Sequence, residues 1–365
     1  MRRRKIAIFL PSLRGGGAER VIVNLLQGFS AKGVDIDLVL AKAEGPYLDQ
    51  VPSSIRIIDL KVTRVMMALP GLVRYLRKEK PHSLLSVMDH CNIVAIWARA
   101  LACVHVKTVL SVHSTLSQVT KNSKQYGDKI IPLLMKFFYP YADAIIAVSH
   151  GVADDLHLST MISKEKTSVV YNPIITTALS KMARDKPFHF WFDDSEIKIV
   201  IAVGRLTLAK DFNTLIKAFF KVRRECNVRL LILGEGEERA SLQKLISDHG
   251  LDDDVCLYGF TDNPYPSIAA SAVFVLSSIF EGLPTVLVEA MALSTPIVST
   301  DCKSGPKEIL SRANIGMLVE VGDVDGMAAA IIETLKNDAL NCCSQEVLEP
   351  FTITYATEKY LELLN

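Results

Sequence analysis

Short runs of apolar and β-branched residues recur along the chain, and amphipathic stretches separate them. In the first half, the runs that predict strands are 6–10, 36–41, 55–60, 83–88, 107–112, 144–148 and 167–171. Stretches with helical spacing lie between them, near 18–31, 66–79, 92–103, 129–140 and 149–157. The second half repeats the alternation. Its strands are predicted at 197–203, 228–233, 254–258, 272–277, 296–300 and 316–319. Its helices are predicted near 211–224, 237–249, 284–293, 305–311 and 324–337. Apolar, Val/Ile-rich strands with helical crossovers imply parallel sheets covered on both faces. The expected fold class is α/β, with two doubly wound, Rossmann-like domains at 1–172 and 197–352. Residues 173–196, which include Pro173 and Pro187, are expected to link them. A last helix, 353–364, follows Pro350 and is free to pack on either domain, including back on the first. Ligands bind outside the carboxyl ends of the strands in such sheets. Two domains facing each other across a cleft would each hold one molecule, which suits transfer between two substrates.

Composition narrows the picture. A length of 365 residues suits two domains, and 49% apolar residues suffice for large cores. The 41 basic and 40 acidic residues leave a net charge of +1, which argues against a nucleic-acid protein. That total hides a split: residues 1–175 carry +10 and residues 176–365 carry −9. Such asymmetry fits either an anionic partner on the first half or two unrelated surfaces. The basic start, Met1 to Lys5, precedes an apolar run too short for a secretory leader, so a cytoplasmic start is expected. The longest uncharged stretch, Asn263 to Phe280, is broken by Pro264 and Pro266, so no spanning helix is expected. Seven scattered cysteines without a Cys-x-x-Cys pair read as reduced thiols. Cys342 and Cys343 read as a helix-surface pair, with palmitoylation as the alternative.

Three stretches carry candidate chemistry. The first βα turn, Pro11 to Arg20, holds Gly15, Gly16 and Gly17 between a strand and a helix start. Bare backbone and a helix dipole suit an anion there, and a merely flexible turn is the alternative. It is neither a dinucleotide fingerprint nor a P-loop. In the second stretch, Gly204 ends a strand, and Arg205 and Lys210 follow on the loop. A guanidinium and an ammonium at that place suit a diphosphate, and a solvated loop is the alternative. The third is Phe280 to Ala290, where Glu281 and Glu289 are separated by seven residues. Glu289 lies inside a helix among apolar residues and needs a partner, either ribose hydroxyls or an internal cation. The amides of Thr285 and Val286 at that helix start suit phosphate. Asp35-Ile-Asp37, Asp323-Val-Asp325 and Asp252 to Asp254 read as structural or solvated, so no metal site is expected. Trp97 and Trp191 read as packing residues.

Together these stretches resemble glycosyltransferase family 4, the retaining transferases of GT-B fold. The resemblance runs from the glycine-rich turn to Pro306 and includes Gly234-Glu235-Gly236. It implies that Arg205 and Lys210 bind the donor diphosphate and that Glu289 binds the ribose. It places Glu281, with Gly282 and Leu283 beside it, against the donor sugar and its phosphate. It brings Gly16 and Gly17 to the diphosphate, and it gives the turn at Gly259-Phe260 to the base. A narrower resemblance, carried by Ser86 to Ile93 and Ser111 to Ser114, points to bacterial transferases that extend lipid-linked oligosaccharides with UDP-sugars. In that pattern His113 reaches the donor sugar, and Asp89 and His90 contact the acceptor; His90 departs from the small polar residue expected there.

The expected activity is metal-independent, retaining transfer of a hexose or N-acetylhexosamine to a lipid-diphosphate-linked glycan. The nucleotide sugar is the donor substrate, and no cofactor is expected. The expected place is the inner face of the cytoplasmic membrane, as a peripheral protein. Basic clusters at Arg2 to Lys5, Lys61 to Lys80 and Lys121 to Lys136 support an anionic membrane surface as partner. The middle cluster interleaves Val65, Met66, Met67, Leu69, Leu72 and Val73, an apolar face that suits either a membrane or the protein's own core. The competing readings are a GT-B-like sugar-nucleotide epimerase or phosphorylase, and a non-catalytic nucleotide-sugar-binding protein. A missing dinucleotide fingerprint disfavours an NAD-dependent oxidoreductase.

Overall fold

A computed structural model describes residues 4–115, 130–160, 162–337 and 343–365. The chain forms two compact units, residues 1–174 with 350–365, and residues 175–349.

The first unit holds a seven-stranded parallel sheet in the order β3-β2-β1-β4-β5-β6-β7. Its strands are β1 (Ile6–Leu10), β2 (Ile36–Leu40), β3 (Arg56–Asp59), β4 (Ser83–Val87), β5 (Lys107–Val112), β6 (Ala144–Ala147) and β7 (Thr167–Val169). β1 is central and wholly buried. Because strand side chains alternate, its two faces feed two cores. Ile6, Ile8 and Leu10 meet the Gly17–Ala31 and Ile353–Leu364 helices, among them Leu25, Phe29 and Tyr360. Ala7 and Phe9 meet Leu72, Leu76 and Val94 on the opposite side. Each large apolar side chain buried this way contributes about 1.5–3 kcal/mol.

The second unit holds a six-stranded parallel sheet in the order β10-β9-β8-β11-β12-β13. Its strands are β8 (Lys198–Val203), β9 (Val228–Leu233), β10 (Val255–Gly259), β11 (Val273–Leu276), β12 (Ile297–Thr300) and β13 (Met317–Val319). In both sheets the strand order reverses once, between β1 and β4 and between β8 and β11. Loops that leave the carboxyl ends at these reversals diverge to opposite faces and open a crevice, the usual ligand position in such sheets.

Three expectations need correction or completion. Residues 173–196, expected as a linker, instead carry a helix at Thr177–Met182 and a short turn at Phe190–Asp193. Leu179 and Trp191 there are buried, so their burial ties most of the segment into the second unit. The last helix packs on the first unit: Ile174 N–H donates to the Phe351 carbonyl at 2.8 Å, and the helix lies against Gly28. A Cβ at Gly28 would overlap Thr357 and Ile353, so glycine sets how closely those helices cross. The apolar face of 65–79 belongs mainly to the core. Leu72, Tyr75 and Leu76 are buried, and Val65, Leu69 and Val73 pack against the same cluster. Spacing of three and four residues aims them at one side, where the Asp89–Ala102 helix lies. Only Met66 and Met67, 48% and 60% exposed, remain outside. Arg2, Arg3, Lys121, Lys124, Lys129 and Cys342 lie outside the described residues.

Several of the acidic residues read as structural have partners in the fold. Asp37 accepts from Arg56 and Tyr75, Asp323 caps its helix through Gly326 N–H, and Asp254 pairs with Arg223 and Arg229. Trp97 packs edge-on against Phe138. Among the described residues, no helix is long and apolar enough to cross a membrane, and no three His, Cys, Asp or Glu gather as a metal site.

Candidate active site

In the second unit, three loops leave the carboxyl ends of β8, β9 and β10 with backbone packed on backbone. Gly204 N–H donates to the Leu233 carbonyl at 2.9 Å, and Gly234 N–H to the Gly259 carbonyl at 2.8 Å. Leu206 N–H donates to the Glu235 carbonyl at 3.0 Å. A Cβ at Gly234 would overlap the Gly204 carbonyl, and one at Gly236 the Leu206 carbonyl. Close approach explains these two glycines. It leaves no room between the loops, so side chains must project outward from them.

Lys210 is the first such side chain. Its stem crosses Gly204, where an added Cβ would stand 3.3 Å from Cε. Its Nζ donates to Glu281 Oε1 at 2.6 Å, and Ser278 Oγ donates to the same oxygen at 2.6 Å. Ser277 Oγ holds the Lys210 carbonyl at 2.7 Å, and Ile279 N–H holds the Ala209 carbonyl at 2.8 Å. The loops after β8 and β11, at the reversal of the sheet, are thereby stitched together. Arg205 is exposed on the first of these loops and has no ion-pair partner among the described residues.

Glu281 is held from its other side by a hydrogen bond from its own N–H to the Lys303 carbonyl at 3.2 Å. Gly282 and the buried Leu283 follow it. Pro284 is the N-cap of the Thr285–Ala292 helix, and no side chain caps it. The first helical bond joins Leu287 N–H to the Pro284 carbonyl, so the amides of Thr285 and Val286 head the helix outside its ladder. Glu289 is one turn further in, 6% exposed, and accepts from Tyr265 Oη at 3.4 Å. Phe260 is 74% exposed just after Gly259, whose positive φ of 104° turns the chain. Cys302 lies close by; burial pushes its thiol up to about 12, so it stays protonated at neutral pH and is no nucleophile.

In the first unit, the glycine turn is arranged differently. The buried Glu19 carboxylate accepts from Gly15 N–H at 2.6 Å and from Gly16 N–H at 2.9 Å. This is the reciprocal arm of a capping box, and it commits the Gly16 amide internally. Gly17 heads the helix with open space where a Cβ would stand. The Gly16-x-x-Glu19 spacing was the signal that would have found Glu19.

At the end of β4, Met88 has φ 77°, strained for a side-chain-bearing residue, and leads into Asp89 at the first helical position. Such strain clusters at functional sites. Asp89 accepts from Tyr139 Oη at 3.3 Å and from Ser114 Oγ at 3.4 Å. Burial outweighs both and pushes its carboxyl up to about 6. His90 follows, half-buried. His113 follows β5, with Nε2 2.9 Å from Ser111 Oγ. Burial holds His113 down to about 4, so the ring is neutral at pH 7. Tyr139 and Tyr265 were not legible from the sequence, because each acts through a residue distant along the chain, Asp89 and Glu289; Ser278, only three residues before Glu281, was missed for want of a distinctive local signal.

Comparison with known proteins places this geometry. Residues 15–178 match the model of Glycosyltransferase Family 4, and residues 185–346 match that of Glycosyl transferases group 1. An N-acetylgalactosamine-N,N'-diacetylbacillosaminyl-diphospho-undecaprenol 4-alpha-N-acetylgalactosaminyltransferase of Campylobacter jejuni is 30% identical, over 92% of this chain and 91% of the relative. The lipopolysaccharide core biosynthesis glycosyltransferase LpsE of Rhizobium meliloti is 29% identical, over 96% of each chain. The solved structure of HepE from Anabaena in complex with UDP superposes with a TM-score of 0.77 at 20% identity, over 99% of both chains. With its two parallel α/β units and these relatives, the chain is a glycosyltransferase of GT-B fold and belongs to glycosyltransferase family 4.

Proposed function

We propose that the protein moves a hexose or N-acetylhexosamine from a UDP-sugar to a lipid-diphosphate-linked glycan, without a metal ion and with retention at the anomeric carbon. The candidate donors are UDP-GalNAc, UDP-Gal, UDP-GlcNAc and UDP-Glc. The observation that carries the reading is the junction of Lys210, Glu281 and the uncapped start of the Thr285–Ala292 helix. An ammonium has three N–H donors, and Glu281 takes one, which leaves two for a diphosphate. The exposed Arg205 adds a fork-shaped donor. The amides of Thr285 and Val286 supply a positive helix end, which Gly282 and Leu283 precede in the chain. These groups stabilise charge on the departing diphosphate, the term that dominates such transfers. Glu289 binds the ribose hydroxyls, and backbone at Gly204, Gly259 and Phe260 borders the nucleoside. The relatives support the substrate classes: the C. jejuni enzyme is named for transfer to a diphospho-undecaprenol-linked glycan, and HepE was solved with UDP.

In the first unit, Gly17 is the amide at its helix start suited to a phosphate, because Gly16 is already bonded to Glu19. His113 contacts a sugar hydroxyl, and Asp89 and His90 contact the acceptor. As the sugar–phosphate bond breaks, the leaving oxygen takes the acceptor's proton on the same face of the sugar, which gives retention.

A lipid-linked acceptor requires a membrane surface. The first unit exposes Ile130, Leu133, Phe137 and Tyr141 at helical spacing beside Lys136. With Met66, Met67 and the cations of 61–80, they suit the anionic inner face of the cytoplasmic membrane. Two measurements test the proposal. Thermal stabilisation and donor hydrolysis across UDP- and GDP-sugars should single out a UDP-sugar; stabilisation by GDP alone refutes it. Replacing the cations of 61–80 should weaken liposome binding more than UDP binding; equal liposome binding removes that surface from the proposal.

A further inference from the structure

The Ile353–Leu364 helix carries the hydroxyl of Tyr360 into the core of the first unit. The ring is 1% exposed and packs among Val87, Val109 and Ile146. A buried phenol needs an acceptor for its proton. Among the described residues, Tyr360 Oη has one partner, Ser111 Oγ at 3.2 Å, across 249 positions of sequence. Burial pushes Tyr360 up to about 12, so it keeps the proton it must place. Ser111 is fully buried, and its Oγ has a second neighbour, His113 Nε2 at 2.9 Å. If Tyr360 donates to Ser111, the serine hydrogen is left to face the imidazole nitrogen.

We infer that Tyr360 and Ser111 are positioning residues: a directed chain, Tyr360 Oη–H to Ser111 Oγ–H to His113 Nε2, fixes His113 as the Nδ1–H tautomer. A neutral imidazole has one donor and one acceptor, and the partner of one nitrogen decides the role of the other. With Nε2 accepting, Nδ1–H is the ring's donor. His113 then offers a donor, not an acceptor, to an oxygen of its ligand. The chain explains why the last helix returns a tyrosine, where phenylalanine would fill the same volume. The consequence for turnover rests on the role proposed above for His113; the tautomer does not.

The test is nitrogen NMR of the full-length protein with labelled histidine, at pH 7 and without ligand. His113 should show a protonated Nδ1 and an unprotonated Nε2. Tyr360→Phe keeps the ring and frees the serine to turn, so it should move His113 to a mixture or to the Nε2–H form. Ser111→Ala should do the same, and it serves if Tyr360→Phe fails to fold. With UDP-N-acetylgalactosamine as probe, Tyr360→Phe should lower kcat about tenfold and leave KM within about twofold, the size of one lost hydrogen bond. An Nε2–H tautomer in the unmodified protein, or a tautomer unmoved by both variants, overturns the chain. A moved tautomer with unchanged kcat upholds the chain and refutes the role of His113 in transfer.

Discussion

Two helix starts at the carboxyl ends of the two sheets make an instructive pair. Both follow a glycine-containing loop at a reversal of strand order, and both have a carboxylate close by. At the Gly17–Ala31 helix, Glu19 lies inside the first turn and folds back on the amides of Gly15 and Gly16. At the Thr285–Ala292 helix, Glu281 lies four residues before the first turn and holds Lys210 instead. The first start is partly satisfied by its own chain, and the second has no side-chain cap and lies just after the Lys210–Glu281 pair. A glycine-rich turn therefore does not by itself mark a phosphate site. What matters is which way the nearest carboxylate points.

The largest effect that tests this contrast is at Lys210. Lys210→Ala should lower turnover by about 1,000-fold or more, as loss of a leaving-group donor does, with Tm unchanged within a few degrees. Near-normal turnover in a folded variant would mean that the uncapped start is not the donor site. Next comes Glu289→Gln, which keeps the shape and removes the charge. UDP affinity measured by calorimetry should fall about 10-fold to 100-fold, the worth of a charged hydrogen bond. Unaltered affinity would return Glu289 to a purely internal role. Glu19→Ala should do the opposite of both: stability falls by about 1–2 kcal/mol, as for a lost cap, and UDP affinity stays the same. A variant with unchanged denaturation midpoint and lost turnover would show that Glu19 meets substrate, and the contrast would collapse.

The smallest effect concerns pH. Burial raises Asp89 to about 6 and lowers His113 to about 4. A raised carboxyl adds stability below its unfolded value and loses it as pH rises through 6. A lowered imidazole adds stability above its ordinary 6.5 and loses it as pH falls through 4. The two oppose each other across the same window. Asp89→Asn removes the first and leaves the second, so Tm should fall more steeply from pH 6.5 to 4 than in the unmodified protein. Parallel curves would mean that Asp89 titrates as an ordinary exposed carboxyl.

Legibility in the sequence followed the range of the interactions. Every strand was found, because a run such as Ile6–Leu10 is buried on both faces and its composition says so locally. The apolar spacing of 66–79 was also found, but its destination was not. Leu72, Tyr75 and Leu76 would suit a membrane as well as a core, and only the neighbouring Asp89–Ala102 helix decides for the core. The 173–196 segment looked like a linker because two prolines interrupt it, whereas burial of Leu179 and Trp191 ties most of it into the second unit. At the site, the types of Arg205, Lys210, Glu281 and Glu289 pointed to a diphosphate and a ribose. Their pairing was hidden, since Lys210 and Glu281 are 71 residues apart and only the sheet order makes their loops neighbours.

The sequence by itself determined the periodicities, the two parallel α/β units and the side chains suited to a nucleotide diphosphate. These are local properties, set by pleat, helical turn and functional group. Only the tertiary structure decided which groups remain open to a ligand. Glu19 takes up the Gly15 and Gly16 amides at one helix start, Lys210 meets Glu281 near another, and Tyr360 reaches Ser111 from the far end of the chain. The physical reason is that a buried polar group must find a partner, and the partner is chosen by proximity in the fold, not by distance along the chain.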